Sequence, residues 1–371
     1  MSIVFVPDGS VGALERAIQE VVASGAQSLQ ILGAVENGWT PESLDPILAE
    51  VPVPTFGGVF PGVIYEREAY ERGSIVIGHD REAKIAVVEL STEALPADEQ
   101  WVPALDGADT VIAYLDATRP SAELMRALFR KQGGRATWFG GGAGGLDFAP
   151  RPVIITPDGL QGGVAVLAGL DAHTSLGVTH GWAAFGEPML VTESNGNDIL
   201  TLDFRPAQEA YCEAVEQHSG RLFDDVGFFA LASRYPLILE RFGGEGVVRD
   251  PLSVLPGGGL RCAGVVPQHA TVRIATAAFD DMLAAAANAR TLALAGASVH
   301  PGALTLTIDC ISRSLLLEER LRDELAALRL PGTTQVGALT IGEVASGANN
   351  FLQVHNKTTV LALLDTREGR I

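Results

Sequence analysis

The order in which strand-like and helix-like segments recur is the feature that most restricts the fold. An apolar β-like run, a helical segment that opens near a proline, a short strand ending in glycines and two more β-like runs follow one another at residues 28–90 and again at 110–170. A weaker third copy covers residues 303–364. Repeated supersecondary units pack with pseudo-symmetry, and strand-helix-strand order places helices against mixed sheets. The alternative is that the unit is simply a common α/β motif.

The predicted fold is therefore α/β (mixed α+β), with two modules of repeated β-α-β-β-hairpin units whose helices pack on mixed sheets. In the first copy we predict a hairpin between residues 73–79 and 84–90, and in the second between 153–156 and 164–170. In the third, residues 357–364 complete the hairpin, after a single helix at 312–328.

Chain length favours two domains, because 371 residues exceed what one hydrophobic core usually holds. The strand-rich middle of the chain gives way to a helix opened by Pro206-Ala207. We therefore expect an N-terminal domain at residues 1–204 and a C-terminal domain at residues 205–371.

Charge and hydropathy exclude several classes of partner. The 26 basic and 45 acidic residues give a formal net charge of −19. Such a chain repels phosphate backbones and anionic lipids, so we expect no nucleic acid and no membrane partner. The start of the chain lacks the basic region of a signal peptide, and residues 282–299 are too polar for a membrane span, so they indicate an Ala-rich helix on a sheet. Three scattered cysteines fit a reducing cytoplasm and predict no disulfide framework or zinc site.

Common catalytic and cofactor motifs are absent from the sequence. It contains no GxxxxGK[ST], no GxSxG and no HExxH, and its seven histidines lack metal-ligand spacing. Gly140, Gly142 and Gly145 satisfy GxGxxG, but the residues that follow, through Pro150 and Pro152, cannot open a helix. A glycine turn whose backbone lines a pocket is the better interpretation. We expect no metal and no cofactor.

Polar residues near the ends of the last strands are the candidate functional groups. Cys310 ends an apolar strand and is followed by Arg313, which could lower the pKa of the thiol; the alternative is a buried small residue. Glu343 could receive a ligand ammonium group, act as an acid or base, or pair with Arg313. His355 and Asn356 either cap a turn or face a pocket. Trp182 is either core or an aromatic wall.

Together these segments resemble the FIST family of bacterial sensory proteins, over residues 25–365. Four groups of residues carry the resemblance: Trp138–Gly144; Gly177–Trp182 with Gly196-Asn197 and Leu202-Asp203; Pro206-Ala207 with Tyr211; and Cys310, Arg313, Gly342-Glu343 and His355–Thr358. One segment departs from the family pattern, because residues 56–62 (FGGVFPG) contain no acid after the glycines. If this turn contacts the ligand in relatives, this protein binds a different ligand or binds it at another turn.

The resemblance implies a sensor of small ligands, with amino acids proposed for the family. Relatives are often fused to kinase, cyclase or methyl-accepting modules, and this sequence contains none, so we expect action on a separate signalling partner. In this hypothesis Arg313 binds a ligand carboxylate and Glu343 a ligand ammonium group. The ligand-binding residues would be Gly140, Gly141, Gly142, Gly144, Trp182, Cys310, Arg313, Glu343, His355 and Asn356.

Two other functions stay open at this point. One is a hydrolase or amidase that uses Cys310 as the nucleophile and His355 or Glu343 as the base. The other is a scaffold that binds no ligand.

Overall fold

The computed structural model describes residues 1–90, 101–132, 134–241, 245–295, 299, 303–346 and 352–365. Elements are numbered in chain order.

The first unit of the chain contains six strands and two helices. They are β1 (Ser2–Val6), α1 (Val11–Ala23), β2 (Ser28–Ala34), α2 (Pro41–Leu48), β3 (Thr55–Phe60), β4 (Gly62–Tyr65), β5 (Glu68–Tyr70) and β6 (Ser74–His79). The second unit has the same order of elements. It consists of β7 (Lys84–Glu89), α3 (Val102–Leu105), β8 (Thr110–Asp116), α4 (Ala122–Gln132), β9 (Thr137–Ala143), β10 (Ile154–Thr156), β11 (Gly159–Gln161) and β12 (Val164–Leu170).

The third unit is interrupted by an insertion. It begins with β13 (His173–Thr179). The insertion comprises β14 (Ala183–Asn195), β15 (Asp198–Leu202), β16 (Arg205–Pro206), α5 (Ala207–Ser219), α6 (Phe223–Val226), α7 (Phe228–Ala232), β17 (Leu237–Leu239), β18 (Val247–Arg249), β19 (Pro251–Val254), β20 (Leu260–Cys262) and β21 (Thr271–Thr276). The unit continues with α8 (Phe279–Ala295), β22 (Leu304–Cys310), α9 (Ile311–Leu317), α10 (Leu321–Leu328), β23 (Thr334–Thr340), β24 (Glu343–Ser346), β25 (Leu352–His355) and β26 (Thr359–Asp365).

Three six-stranded sheets share one arrangement of strands. Their orders are β1-β6-β2-β3-β10-β11, β7-β12-β8-β9-β24-β25 and β13-β26-β22-β23-β4-β5. In each sheet the two inner strands of one unit, such as β2 and β3, pair in parallel, and the strand beside them pairs antiparallel. The fold is therefore mixed α+β with helices on mixed sheets, as predicted. Duplication of the sequence unit stays a prediction.

Each of these sheets is completed by a hairpin from another unit. The hairpin β4–β5 of the first unit pairs with β23 of the third, β10–β11 pairs with β3, and β24–β25 pairs with β9. The three predicted hairpins are therefore wrong in their partners. β6 pairs with β1 and β2, whereas β7 pairs with β12 in a different sheet. β10 pairs with β11 rather than β12, and β26 pairs with β22 and β13.

One glycine in each parallel pair allows the two strands to approach closely. A Cβ atom on Gly57 would lie 1.9 Å from the carbonyl oxygen of Ile31. Gly140 has the same relation to Ala113, at 1.9 Å, and Gly337 to Thr307, at 1.8 Å. These distances are far below van der Waals contact, so glycine is required at the equivalent position of all three sheets.

Helices cover the sheets with apolar faces. Residues Met282, Ala286, Ala289 and Ala293 of α8 are buried at helical spacing, and the helix contacts β13, β26 and α10. The predicted Ala-rich helix on a sheet is confirmed. The predicted single helix at 312–328 is interrupted at Glu318, whose φ is +51°, so α9 and α10 change direction there. No helix among the described residues is long and apolar enough to cross a membrane.

The insertion builds a fourth sheet of eight strands, with the path β18-β17-β21-β14-β15-β20-β19 and β16 beside β15. Its core packs around Tyr211 of α5 and includes Leu202, Leu237, Leu260 and Ile274. β14 and β15 precede residue 205, and their partners β20 and β21 follow it. The division into domains 1–204 and 205–371 stays a prediction.

Candidate functional site

Arg313 is the centre of a buried group of charged side chains, here called the inner layer, that also contains Asp309, Glu324, Cys310 and Glu343. The guanidinium group donates from Nε to Glu324 at 3.0 Å and also contacts that carboxylate through Nη2. Its Nε lies 3.4 Å from Asp309. Nη1 donates to the backbone carbonyl groups of His180 and Lys357.

These contacts leave no face of Arg313 open to a ligand, because the side chain is completely buried. The predicted contact between Arg313 and a ligand carboxylate therefore does not exist in this conformation. Arg313 instead joins α9 and α10 to the backbone around His180 and Lys357. A guanidinium group with several fixed donors suits this positioning role.

Burial decides which acids of the inner layer are ionised. It raises the pKa of Asp309 well above its usual value, and the negative charge of Glu324 raises it further. Burial also raises the pKa of Glu343, to about 8. At neutral pH Glu343 therefore holds its proton, and burial favours the protonated form of Asp309 as well.

Glu343 is held by groups of the protein. Its Oε1 accepts a hydrogen bond from the hydroxyl of Thr340 at 3.0 Å, and Oε2 accepts from the backbone N–H of Thr358 at 3.2 Å. A protonated and buried carboxyl group does not attract a ligand ammonium group. The predicted contact of Glu343 with an ammonium group is therefore not available in this conformation either.

Cys310 has the properties of a structural cysteine. Its Sγ lies 3.0 Å from the hydroxyl of Ser312, and the side chain is buried. Burial raises the pKa of the thiol to about 12, with a further contribution from Glu343. A thiol, not a thiolate, is therefore present at neutral pH, which disfavours the hypothesis of a Cys310 nucleophile.

The glycines of β9 are part of a buried strand and not of a surface turn. Glu343 and Val344 of β24 pair with Gly141 and Gly140. Gly142 exchanges backbone hydrogen bonds with the turn before β24: its N–H donates to Gly342 and its carbonyl accepts from Ile341, both at 2.9 Å. Gly140, Gly141 and Gly142 thus allow close strand packing, and they support the inner layer. Gly144 follows β9 with a φ of +140°.

A second polar group, here called the outer layer, lies between the fourth sheet and the turn that begins at His355. Its members are His180, Trp182, Glu245, Arg249, Asp250, His355, Asn356 and Lys357. Trp182 donates from its indole N–H to the backbone carbonyl of Lys357 at 3.3 Å, and the Lys357 ammonium group lies 5.3 Å from the indole ring centre. The same ammonium group lies 3.1 Å from Asp250 and donates to the carbonyl of Ser233 at 2.9 Å.

Arg249 ties the fourth sheet to the end of β25. Its guanidinium group donates to the carbonyl groups of Val265 and Val354, at 2.9 and 3.2 Å, and to the side-chain oxygen of Asn356 at 3.4 Å. Burial lowers the pKa of Arg249 to about 10, so the group stays cationic at neutral pH. Burial and then the nearby Arg249 lower the pKa of His355 to about 3, so its imidazole is neutral.

Two imidazole nitrogens of the outer layer make no hydrogen bond of acceptable geometry, although the backbone of Gly246 faces His180 and the backbone of Ala345 faces His355. They are Nε2 of His180 and Nε2 of His355, and both are shielded from solvent. Burial is also the main cause that lowers the pKa of His180, to about 4. A buried polar atom without a partner costs free energy, on the order of 1–3 kcal/mol. Such atoms gain most when a ligand supplies the missing partner.

The structure thus separates the sequence-predicted residues into two layers. Cys310, Arg313 and Glu343 belong to the inner layer with the β9 glycines beside it, whereas Trp182, His355 and Asn356 belong to the outer layer. Glu245, Arg249 and Asp250 were not predicted from the sequence, because they lie in a stretch without a clear periodic pattern. His180 and Lys357 belong to the motifs that carried the family resemblance, and this was the signal in the sequence that could have identified them as site residues. Among the described residues no group of acidic, histidine or cysteine side chains has the arrangement of a metal site.

Models of two protein-family domains match most of the chain. A model of the FIST N domain matches residues 7–205, and a model of the FIST C domain matches residues 207–346. The protein belongs to the FIST family. FIST domains are sensory domains of signal transduction and are thought to bind small ligands. No curated protein matches the sequence. Within this FIST protein, the match to the C domain includes the inner layer from Asp309 to Glu343.

Proposed function

We propose that this FIST protein is a cytoplasmic sensor that binds an amino-acid-like ligand in the outer layer and acts on a separate signalling partner. The pair of unpartnered imidazole nitrogens, on His180 and His355, is the observation that carries the proposal. Trp182 and Asn356 would line the site with them. The inner layer, including Arg313, Glu343 and the β9 glycines, supports this surface from below and does not touch the ligand.

Local charge favours a ligand with an acidic group. The protein as a whole carries a charge of −19, yet Arg241, Arg249 and Lys357 bring three cations to the neighbourhood of the outer layer against Glu245 and Asp250. A local positive excess in an acidic protein concentrates small anions at that place. The aromatic face of Trp182 and the amide of Asn356 provide apolar and polar contacts to the rest of an amino acid.

A thermal-shift panel tests the proposal. Purified protein is heated with single amino acids, dicarboxylates, polyamines or nucleotides at millimolar concentration. A ligand at about 100 times its Kd should add about 2.7 kcal/mol to the free energy of unfolding. We expect a response to amino acids, weakened at least tenfold in affinity by His355→Gln and unchanged by His269→Gln, a control at an exposed histidine. An equal response of both variants, or none in the parent protein, would count against this site.

The proposed output to a partner is supported by the contact between the outer layer and α7. Lys357 donates to Ser233, which follows directly after α7, and this helix carries the exposed Phe229. A ligand that moves Lys357 would therefore alter the end of α7. Hydrogen exchange at residues 228–232 should change when the panel ligand binds. Exchange that stays constant there, with a change elsewhere, would place the output on another surface.

A further inference from the structure

The hydrogen-bond partner of one ring nitrogen determines the proton position in His180. Its Nδ1 accepts a hydrogen bond from the backbone N–H of Trp182 at 2.9 Å, so Nδ1 carries the lone pair. Because the imidazole is neutral at pH 7, Nε2 carries the hydrogen and is a donor. A group that binds at Nε2 must therefore be an acceptor, and a carboxylate oxygen is a strong one.

Glu245 is an acidic group that lies close to this donor. Its Oε1 lies 3.4 Å from His180 Nε2, a separation at which no hydrogen bond of good geometry is formed. The backbone N–H of His180 and the positive charge of Arg313 both lower the pKa of this carboxyl group, while burial raises it more. Two N–H groups of one residue and a guanidinium group behind them form a receptor for a carboxylate.

Glu245 differs from the other charged groups in how loosely it is held. Its side chain is 45% exposed, whereas the side chain of His180 is 6% exposed. Asp250 and Glu324, by comparison, are buried beside fixed cations. A half-exposed glutamate can leave the receptor for water at little cost in solvation, whereas His180 and Arg313 cannot move away.

We propose that the carboxylate of Glu245 occupies the position that a ligand carboxylate takes, so that the ligand-free protein closes its own site. A ligand must displace Glu245, which then turns toward solvent. This inference deepens the proposed function: it names a carboxylate as the recognised group and Glu245 as the internal competitor that sets the affinity.

Chemical rescue with acetate tests the inference. Glu245→Ala removes the competitor and leaves the receptor empty, and acetate is the smallest stable carboxylate that fits. We expect acetate to raise the Tm of Glu245→Ala in a saturable manner, relative to sodium chloride at the same ionic strength. The parent protein should show no saturable response. Glu240→Ala is the matched control, because Glu240 is similarly exposed and pairs with Arg273 outside the receptor.

A second variant covers the case that the alanine variant does not fold. Glu245→Gln keeps the size of the side chain and removes its charge, so acetate should compete with it more easily than with glutamate and produce a smaller saturable shift. The inference is overturned if acetate shifts neither Glu245 variant more than sodium chloride does, or if Glu240→Ala responds equally. If a panel ligand binds the parent protein and His355→Gln weakens that binding, but acetate does not stabilise Glu245→Ala, only the role of Glu245 is overturned. If acetate stabilises Glu245→Ala but no ligand of the panel stabilises the parent protein, only the assignment of an amino-acid-like ligand is overturned.

Discussion

Glu343 accepts hydrogen bonds from Thr340 and Thr358 and has no contact with solvent. Its neutral form is favoured in the folded state, because burial raises its pKa from about 4.5 to about 8. Three histidines are affected in the opposite sense: burial lowers the pKa of His79, His180 and His355 to about 4, 4 and 3. At the residue scale, therefore, burial favours the neutral form of Glu343 and of these three imidazoles.

Glu343 makes the stability of the protein depend on pH. The folded state holds a proton on Glu343 that the unfolded state has released between pH 4.5 and 8. The stabilisation is thus complete below pH 4.5 and is lost as the pH rises through about 8. We expect Glu343→Gln to lose less Tm than the parent protein between pH 5 and 8, by at least a few degrees.

Thermal unfolding at pH 5, 6, 7 and 8 measures this difference. The neutral histidines act in both proteins: because their pKa values are lowered, they reduce stability as the pH falls from 6.5 toward 4, so they cancel in the comparison. Parallel curves for the two proteins would show that Glu343 is ionised in the folded state.

Cys310 should be inert in the folded protein. Its pKa of about 12 and its burial leave almost no thiolate at pH 7.5. We expect iodoacetamide to label Cys310 at least a hundredfold more slowly than it labels the protein unfolded in urea, as measured by peptide mass spectrometry. Rapid labelling of the native protein would restore the hypothesis of a Cys310 nucleophile.

At the scale of elements, the hairpins that complete the sheet of another unit explain why three equivalent positions require glycine. Each parallel strand pair is bounded by a hairpin from another unit, so the strand with the glycine is buried between two neighbours. Gly337 faces the backbone of Thr307 and lies in β23, which pairs with both β22 and β4. No side chain can be accommodated there by a rotamer change, because the opposing atom belongs to the backbone.

A pair of Gly→Ala substitutions tests this packing. Gly337→Ala places a Cβ 1.8 Å from the Thr307 carbonyl oxygen and should reduce the free energy of unfolding by about 3 kcal/mol or more. Gly12→Ala is the control, because Gly12 lies in α1 with its nearest atom at 3.9 Å. It should stabilise the protein by up to about 1 kcal/mol. Urea unfolding of the two variants compares them, and equal effects would contradict the close approach.

At the scale of the whole molecule, the units depend on one another. β4 needs β23, β9 needs β24 and β13 needs β26, and all of these partners follow residue 300. A chain that ends before them keeps the apolar surfaces of its sheets and loses the strands that complete them. Unpaired strand edges promote association with other chains.

We therefore expect the fragment 1–204 to aggregate or to form oligomers when produced alone. Co-expression with the fragment 205–371 should restore a one-to-one complex with the circular dichroism of the full chain. Size-exclusion chromatography with light scattering measures both results. A monomeric fragment 1–204 that unfolds cooperatively would show that the N-terminal part folds independently.

Local sequence patterns determined much of the secondary structure. Apolar content located β12 at its observed bounds, and alanine-rich composition indicated the helix α8. The motifs around Gly140, Glu343 and His355 were sufficient for the family. These features depend on neighbours within a few residues, and a single sequence contains that information.

The strand pairing and the division of polar residues into two layers came only from the tertiary structure. β4 and β23 are about 270 residues apart, and nothing local in either strand specifies the other. For the same reason Arg313 looked available to a ligand, since its partner Glu324 lies beyond the break at Glu318. Glu245 and Arg249 joined the site because the fourth sheet packs against the turn at His355. Burial, which sets the charge of Glu343 and both imidazoles, depends on all of these contacts together.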